Sequence, residues 1–167
     1  MPGMGACLVV SAGDVAHVTA LAMLDGPPLL FAGQSSLKFH GRTAVDEVDG
    51  GLALDETEGD RFALDQTEGD RIAATLGDAD ILFMKHHGVM VVGPSVAKAW
   101  DDLYYPERAA EVQRLAEAAG RPLLPIPTEI AERTAARMRR GGTRLSADLH
   151  LASIKRRWDA KKPEYRQ

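Results

Sequence analysis

The stretch "DILFMKHHGVMVVG", residues 80–93, decides the fold. Two continuous apolar runs, "ILFM" and "VMVV", flank a short segment that contains His86, His87 and Gly88. Apolar runs of this length between polar boundaries predict two buried strands. Adjacent side chains of an extended segment point to opposite faces, so we expect at most one of the two histidines to face a given site. The pair is either part of a metal site or a turn that carries two imidazoles.

The segments upstream alternate between strand and helix patterns. "ACLVV" predicts a short strand, and "VAHVTALAML" predicts a helix that ends before "DGPP". We expect "SLKFHGRTAVDEV" to be extended, with Gly41 at a turn. "EGDRIAATLGD" predicts a short helix with Gly77 as its stop signal.

The longest predicted helix begins after Gly93, where Pro94 fits the first helical turn. Its apolar side chains recur at helical spacing and predict the buried face: Val96, Trp100, Leu103 and Tyr104. Pro106 lies inside this helix and removes a backbone hydrogen bond, so we expect a kink near Asp102 or a break into two helices. The helix should end at Gly120 and "RPLLPIP".

Length and composition predict one globular domain, residues 1–167, because a chain with 45% hydrophobic and 26% charged residues can bury a single core. The apolar runs are shorter than a membrane-spanning helix, and the start "MPGMGACLVVSAGD" lacks the charged region of a signal peptide, so we expect a cytoplasmic protein. The single cysteine, Cys7, excludes an intrachain disulfide and a cysteine-cluster metal site, and we expect it to be an inert buried thiol.

The net charge of -4 is unevenly distributed. From Glu129 onward there are eleven Lys and Arg against five Asp and Glu, a balance of +6, so residues 1–128 carry -10. We interpret residues 129–167 as a basic helical C-terminal tail with solvated faces. A nucleic-acid or anionic-surface patch is the alternative, but no aromatic residues alternate with the charges, so we expect neither a nucleic acid nor a membrane as partner.

Residues 53–72 contain a tandem copy of ten residues, "ALDETEGDRF" followed by "ALDQTEGDRI", which differ at two positions. The period is too short and the copies too few for a solenoid. We interpret the copy as an insertion that forms a loop or extends the helix. A duplicated acidic binding site is the alternative.

The stretch "DILFMKHHGVMVVGPSVAKAWDDLYYPERAAEVQRLAEAAGRPLLPIP", residues 80–127, resembles the second half of the class II aldolase/adducin family. Members of that family typically have an asparagine-histidine-glycine turn, a second glycine five residues on, and a long helix rich in Glu and Gln. Upstream, "TALAML", "FHGRTAVDE" and "EGDRIAATLGD" are similar to the family in order and spacing. The resemblance implies a three-layer α/β/α sandwich around a mainly antiparallel central sheet. It also implies homotetramers with active sites between subunits.

The resemblance implies a site chemistry as well. Family enzymes use a divalent metal, commonly zinc, held by three histidines, to cleave or form carbon–carbon bonds in sugar phosphates and related hydroxy-carbonyl compounds. His87 matches one of these metal ligands, and His86 stands where the family usually has asparagine. We expect His86 and Gly88 to contact the substrate.

The other functional positions depart from the family pattern. Its remaining two metal ligands fall on Ala12 and Asp14, and His17 falls on a tyrosine position. Alanine cannot bind a metal, whereas a carboxylate can, and a shifted register brings in His17, so the candidate ligands are His87, Asp14 and His17. No acidic residue precedes Asp14, and Glu47 lies too far along to replace the family's catalytic glutamate, so the catalytic residue is unknown. Relative to the family, the chain lacks the N-terminal part of the domain.

Three hypotheses follow. The first is a metal-dependent aldolase or decarboxylating lyase with a site rebuilt around His87. The second is a non-catalytic adducin-like module that keeps the fold for oligomerisation or partner binding, with the basic tail as a contact surface. The third is a degenerate fragment with no function of its own and with exposed sheet edges. We favour impaired or lost catalysis, because the chain lacks the family's catalytic glutamate and the two histidines of its His-x-His segment, which fall on Ala12 and Asp14 here.

Other polar and aromatic residues have simpler interpretations. Glu107 and Glu111 are expected to form a salt-bridge face with Arg108 and Arg114, rather than a catalytic carboxylate pair. We expect Trp100, Tyr104 and Tyr105 to serve in the packing of their helix rather than to form a substrate cage. Tyr165, near the C-terminus, is a candidate for reaching an active site across a subunit interface, but we do not favour this role.

Overall fold

The structure is a computed structural model that describes residues 6–11, 15–48, 66–141, 144–162 and 164. Asp14, Tyr165 and most of the tandem copy lie outside the described residues, as does the Cys7 side chain. Within them the strands are β1 (Ala6–Ser11), β2 (Thr43–Asp46), β3 (Ile81–Met84) and β4 (Gly88–Gly93). The helices are α1 (Ala16–Ala22), α2 (Gln34–Leu37), α3 (Gln66–Leu76), α4 (Val96–Glu117), α5 (Thr128–Gly141) and α6 (Arg144–Lys161).

The four strands form one sheet in the order β1-β4-β3-β2. The hairpin of β3 and β4 is antiparallel, β1 pairs antiparallel with β4, and β2 pairs parallel with β3. The predicted strands in "ACLVV", "ILFM" and "VMVV" are therefore confirmed. The sheet is mixed, since one of its three pairings is parallel.

Side chains that alternate along β3 and β4 fill two separate cores. Ile81, Phe83, Val89 and Val91 pack with α1 and α4 on one face. Leu82, Met84 and Val92 pack on the other face against Ile72 and Leu76 of α3. Helices thus cover both faces, and the predicted three-layer α/β/α sandwich is confirmed.

The segment 36–48 was expected to be extended, and this prediction is wrong at its start. Gln34–Leu37 forms a short helix, and the following turns carry the chain to β2, which begins only at Thr43. The buried side chains of Leu37 and Phe39 explain the turn, because it brings both into the interior. Gly41 does lie at a turn, with a φ of 71° that favours glycine. Gly77 ends α3 as predicted, with a φ of 54°.

Helix α4 begins at Val96, two residues later than expected, and runs unbroken past Pro106. Ser95 is its N-cap and accepts a hydrogen bond from the backbone N–H of Lys98 at 3.2 Å, so Pro94 precedes the helix. The predicted break at Pro106 does not occur. The Pro106 ring is fully buried, and its packing offsets the hydrogen bond that proline cannot donate.

The predicted buried face of α4 is wrong in part. Val96 is 58% exposed and Tyr104 is 39% exposed, whereas Leu103 packs against the core as expected. The residues that are buried instead are mostly small or charged: Ala97, Ala99, Asp101, Asp102, Pro106, Ala109, Ala110 and Gln113. Small side chains let α4 approach the sheet closely, so the hydrophobic pattern does not mark its buried face.

Two buried aspartates of α4 are surrounded by three cations, and we call these five residues the aspartate cluster. The Lys38 Nζ lies 2.7 Å from Asp101 Oδ2 and 3.0 Å from Asp102 Oδ1. The Arg42 Nη2 lies 3.3 Å from Asp102 Oδ2, and Lys98 pairs with the same carboxylate. Burial raises the pKa of Asp102, but the three cations outweigh it and hold that pKa below its ordinary value. The cluster joins α2, the residue that precedes β2, and α4.

The basic tail forms two helices, α5 and α6, as predicted. His150 of α6 packs edge-on against the rings of Trp100 and Tyr104, with centroid distances of 4.6 and 4.8 Å. Its Nδ1 lies 2.8 Å from Asp101 Oδ1. The predicted packing role of the α4 aromatic residues is thereby confirmed, and their partner is α6.

The second tandem copy supplies contacts that fix α3 on the sheet. Arg71 donates to Asp46 of β2 at 2.5 Å and to Glu68 at 2.9 Å, and Ile72 is buried. The helix predicted here is confirmed. In the described part of the chain, no helix combines the length and apolarity needed to cross a membrane.

Candidate functional site around His87

His86 and His87 lie in the tight turn that joins β3 to β4, not in an extended segment. The His87 backbone N–H donates to the Met84 carbonyl at 3.1 Å, and His86 has a φ of 59°. Histidine tolerates this left-handed conformation better than most residues, as asparagine does. A position with this backbone geometry suits the asparagine that the family usually has there.

The turn exposes one imidazole and shelters the other. His86 is exposed, whereas His87 is half-buried and its Nε2 atom is buried. The expectation that the two rings lie in different environments therefore holds, although the turn and not strand alternation causes it. Gly88 is buried and begins β4.

The end of β1 lies beside this turn. Ser11, the last residue of β1, pairs with Gly88 across the sheet, and Gly88 directly follows His87. Asp14 itself lies outside the described residues. The last residue of β1 and His87 thus lie at the same end of the sheet.

His17 lies on α1 with its ring bonded to a cation. The Arg114 Nη1 is 3.1 Å from His17 Nδ1. A guanidinium has donors only, so it donates this hydrogen bond and the lone pair of Nδ1 accepts it. The occupied lone pair and the adjacent positive charge both oppose binding of a divalent cation at that nitrogen.

Glu107 of α4 caps the start of α1. Its Oε1 accepts from the His17 backbone N–H at 3.2 Å, and its Oε2 accepts from the Val18 N–H at 3.0 Å. Glu107 therefore has a structural partner that the sequence interpretation missed, whereas Glu111 pairs with Arg108 at 2.5 Å as predicted. No local pattern could reveal this cap, because its two parts are about ninety residues apart along the chain.

Replacing Glu107 with alanine should lower the free energy of unfolding by about 1–2 kcal/mol, because two part-buried N–H groups of α1 lose their acceptor. Glu111→Ala is the matched control, since it removes only an exposed pair and should cost about 0.5 kcal/mol or less. Urea unfolding of both variants measures the difference. Equal losses in the two variants would contradict the capping role.

The described residues do not by themselves make a metal site. Among them, no three His, Cys, Asp or Glu side chains lie close enough together to hold a metal ion. His87 is sheltered, but His17 is bonded to Arg114 and His86 points to solvent. The predicted donor set is thus not assembled within this part of the chain.

The family model for the class II aldolase and adducin N-terminal domain matches residues 15–114, which include α1, the sheet from β2 to β4 and most of α4. The chain belongs to the class II aldolase/adducin family. This match covers the β3–β4 turn and both helices that meet at Glu107. The family predicted from the sequence is therefore confirmed.

Individual relatives agree with this membership. A Pseudomonas aeruginosa protein named as a candidate class 2 aldolase is 32% identical over 97 residues, which are 56% of this chain and 38% of the relative. The crystal structure of an aldolase II superfamily protein from Pseudomonas syringae is 26% identical, with a TM-score of 0.76. That match covers 90% of this chain and 56% of the other.

A third similarity concerns the fold alone. An L-fuculose 1-phosphate aldolase from Glaciozyma antarctica matches with a TM-score of 0.58 at 23% identity, over 73% of this chain and 41% of the enzyme. The chain thus spans less than two thirds of the length of each of these relatives.

Proposed function

We propose that this class II aldolase/adducin-family protein has impaired or lost carbon–carbon lyase activity and acts as a self-associating binding module in the cytoplasm. The bond between His17 and Arg114 is the observation that supports this most directly. It occupies the Nδ1 atom of His17 and places a positive charge beside the ring, which disfavours His17 as a metal ligand. Ala12 has no donor atom to replace it.

Exposed apolar side chains support self-association as a homo-oligomer. Val112 and Leu115 of α4 are exposed, as are Leu145 and Leu149 of α6. Apolar surface of this kind is typical of protein–protein contacts. The unequal charge of the two parts of the chain, -10 before residue 129 and +6 from residue 129 onward, favours contacts between copies through opposite charges. We propose that residues 1–167 act as one domain in this assembly, with the 53–72 copy as an insertion.

A zinc-dependent aldolase or decarboxylating lyase with a rebuilt site is the second candidate. Two observations favour it: the His87 Nε2 atom is buried, and Ser11 pairs with Gly88, so the chain toward Asp14 starts beside the turn. Such a site would use His87 and Asp14, and His86 and Gly88 would contact the substrate. The substrate would be a small hydroxy-carbonyl compound or a sugar phosphate, such as the L-fuculose 1-phosphate after which two structural neighbours are named.

An aldol-cleavage assay with L-fuculose 1-phosphate and added zinc distinguishes lost catalysis from a rebuilt zinc site. We expect cleavage at the background rate, unchanged by a chelator and unchanged in His87→Ala. Size-exclusion chromatography with light scattering should show a defined oligomer. Cleavage that the chelator abolishes and that His87→Ala lacks would contradict lost catalysis and support the rebuilt site.

A further inference from the structure

A cleft of about 520 Å³ opens between the α2–β2 turn, the α3–β3 connection and α5. Its polar lining consists of His40, Arg42, Asp78, Asp80, Glu132 and Arg139. The cleft is open to solvent, its lining carries both signs of charge, and Asp78, Glu132 and Arg139 are exposed.

The cleft is distant from the β3–β4 turn. Asp80 directly precedes β3, whereas His87 follows its other end. A four-residue strand separates its ends by about 10 Å. The cleft is therefore not part of the candidate site around His87.

One cation of the lining is already neutralised within the protein. Arg42 pairs with Asp80 and with Asp102 of the aspartate cluster. Burial lowers the pKa of Arg42, but these carboxylates raise it above its ordinary value. Arg42 and Asp80 thus line the cleft with charges that are already paired within the protein.

Three charged groups of the lining have no oppositely charged partner among the described residues. The Arg139 Nη1 donates to the carbonyl oxygen of His40 at 3.1 Å, and this acceptor is neutral. Asp78 and Glu132 form no ion pair with any residue in the described ranges. One positive and two negative groups therefore remain to face a ligand.

We propose that this cleft binds a basic α-amino acid, such as lysine, ornithine or arginine. The ligand carboxylate pairs with the Arg139 guanidinium, whose planar array of donors suits a carboxylate. The α-ammonium and the side-chain cation pair with Asp78 and Glu132. A ligand with one anionic and two cationic groups is the smallest molecule that complements all three charges.

NMR titration of the full-length chain with L-lysine, L-norleucine and cadaverine tests the proposal. Norleucine lacks the side-chain cation, and cadaverine lacks the carboxylate. Lysine should bind saturably and about two- to fivefold more tightly than either analogue, since each analogue loses one partly exposed ion pair. Higher ionic strength should weaken all three interactions.

Two variants assign the contacts. Arg139→Gln should weaken lysine binding about fivefold and leave cadaverine binding unchanged, because cadaverine has no carboxylate. Glu132→Gln should weaken both. Arg140→Gln, on the same helix and outside the lining, is the matched control and should change neither. The absence of saturable lysine binding, equal binding of norleucine, or full binding by folded Arg139→Gln would overturn the proposal.

Discussion

Replacing Asp102 with asparagine is expected to lower the free energy of unfolding by about 3 kcal/mol, because the change leaves three cations around a neutral side chain. The carboxylate is 1% exposed, so water cannot take its place. Asn retains the size of the side chain, and the loss therefore reports on charge rather than on packing. Urea unfolding at neutral pH measures it.

Glu129→Gln on α5 is the control for this variant, since Glu129 is exposed and its replacement should change the free energy by about 0.5 kcal/mol or less. A loss of similar size in the two variants would contradict the role of the aspartate cluster.

The effect of Asp102→Asn should depend on pH in a definite direction. The pKa of Asp102 is lowered in the folded protein, so its charged form stabilises the fold. This stabilisation is fully present above the ordinary pKa of about 3.9 and is lost as the pH falls from there through the folded value. The difference in stability between wild type and variant should therefore shrink below about pH 4. A difference that stays constant down to pH 2 would show that packing, not charge, causes the loss.

Phe83→Ala is the second substitution with a large expected effect, about 3–5 kcal/mol. Phe83 lies on β3 in the core beneath α1 and α4 and is 1% exposed, so truncation leaves a cavity that the surrounding helices cannot fill. Thermal and urea unfolding should both show the loss.

Val96→Ala is the control for that cavity, since Val96 is 58% exposed and should change the free energy by about 0.5 kcal/mol or less. A loss under about 1 kcal/mol for Phe83→Ala would mean that the face of the sheet toward α1 and α4 is not the main core.

The sequence predicted the parts of the fold that depend on local patterns. The apolar runs around residues 81–92 predicted the central hairpin, and Gly77 marks the end of α3 by its own chemistry. The buried face of α4 could not be predicted in this way. Asp101 and Asp102 are buried because Lys38 and Arg42, some sixty residues away, surround them.

The candidate site was predictable only in its position along the chain. The turn with His87 was found by its pattern and its family resemblance, and β1 ends at Ser11 beside this turn. The environment of His17 was not predictable, because Arg114 reaches its ring from 97 residues away. Long-range pairings of this kind carry no periodicity that a single sequence can reveal.

Zinc content per chain, measured by elemental mass spectrometry on size-fractionated protein, tests the central claim most directly. Wild type and His87→Ala should both hold far less than one zinc ion per chain, even after incubation with zinc. The double variant Ala12→His/Asp14→His, which restores two histidine ligand positions, should gain about one zinc ion per chain and lose it when His87→Ala is added. Wild-type protein with about one zinc ion per chain that His87→Ala abolishes would contradict the claim.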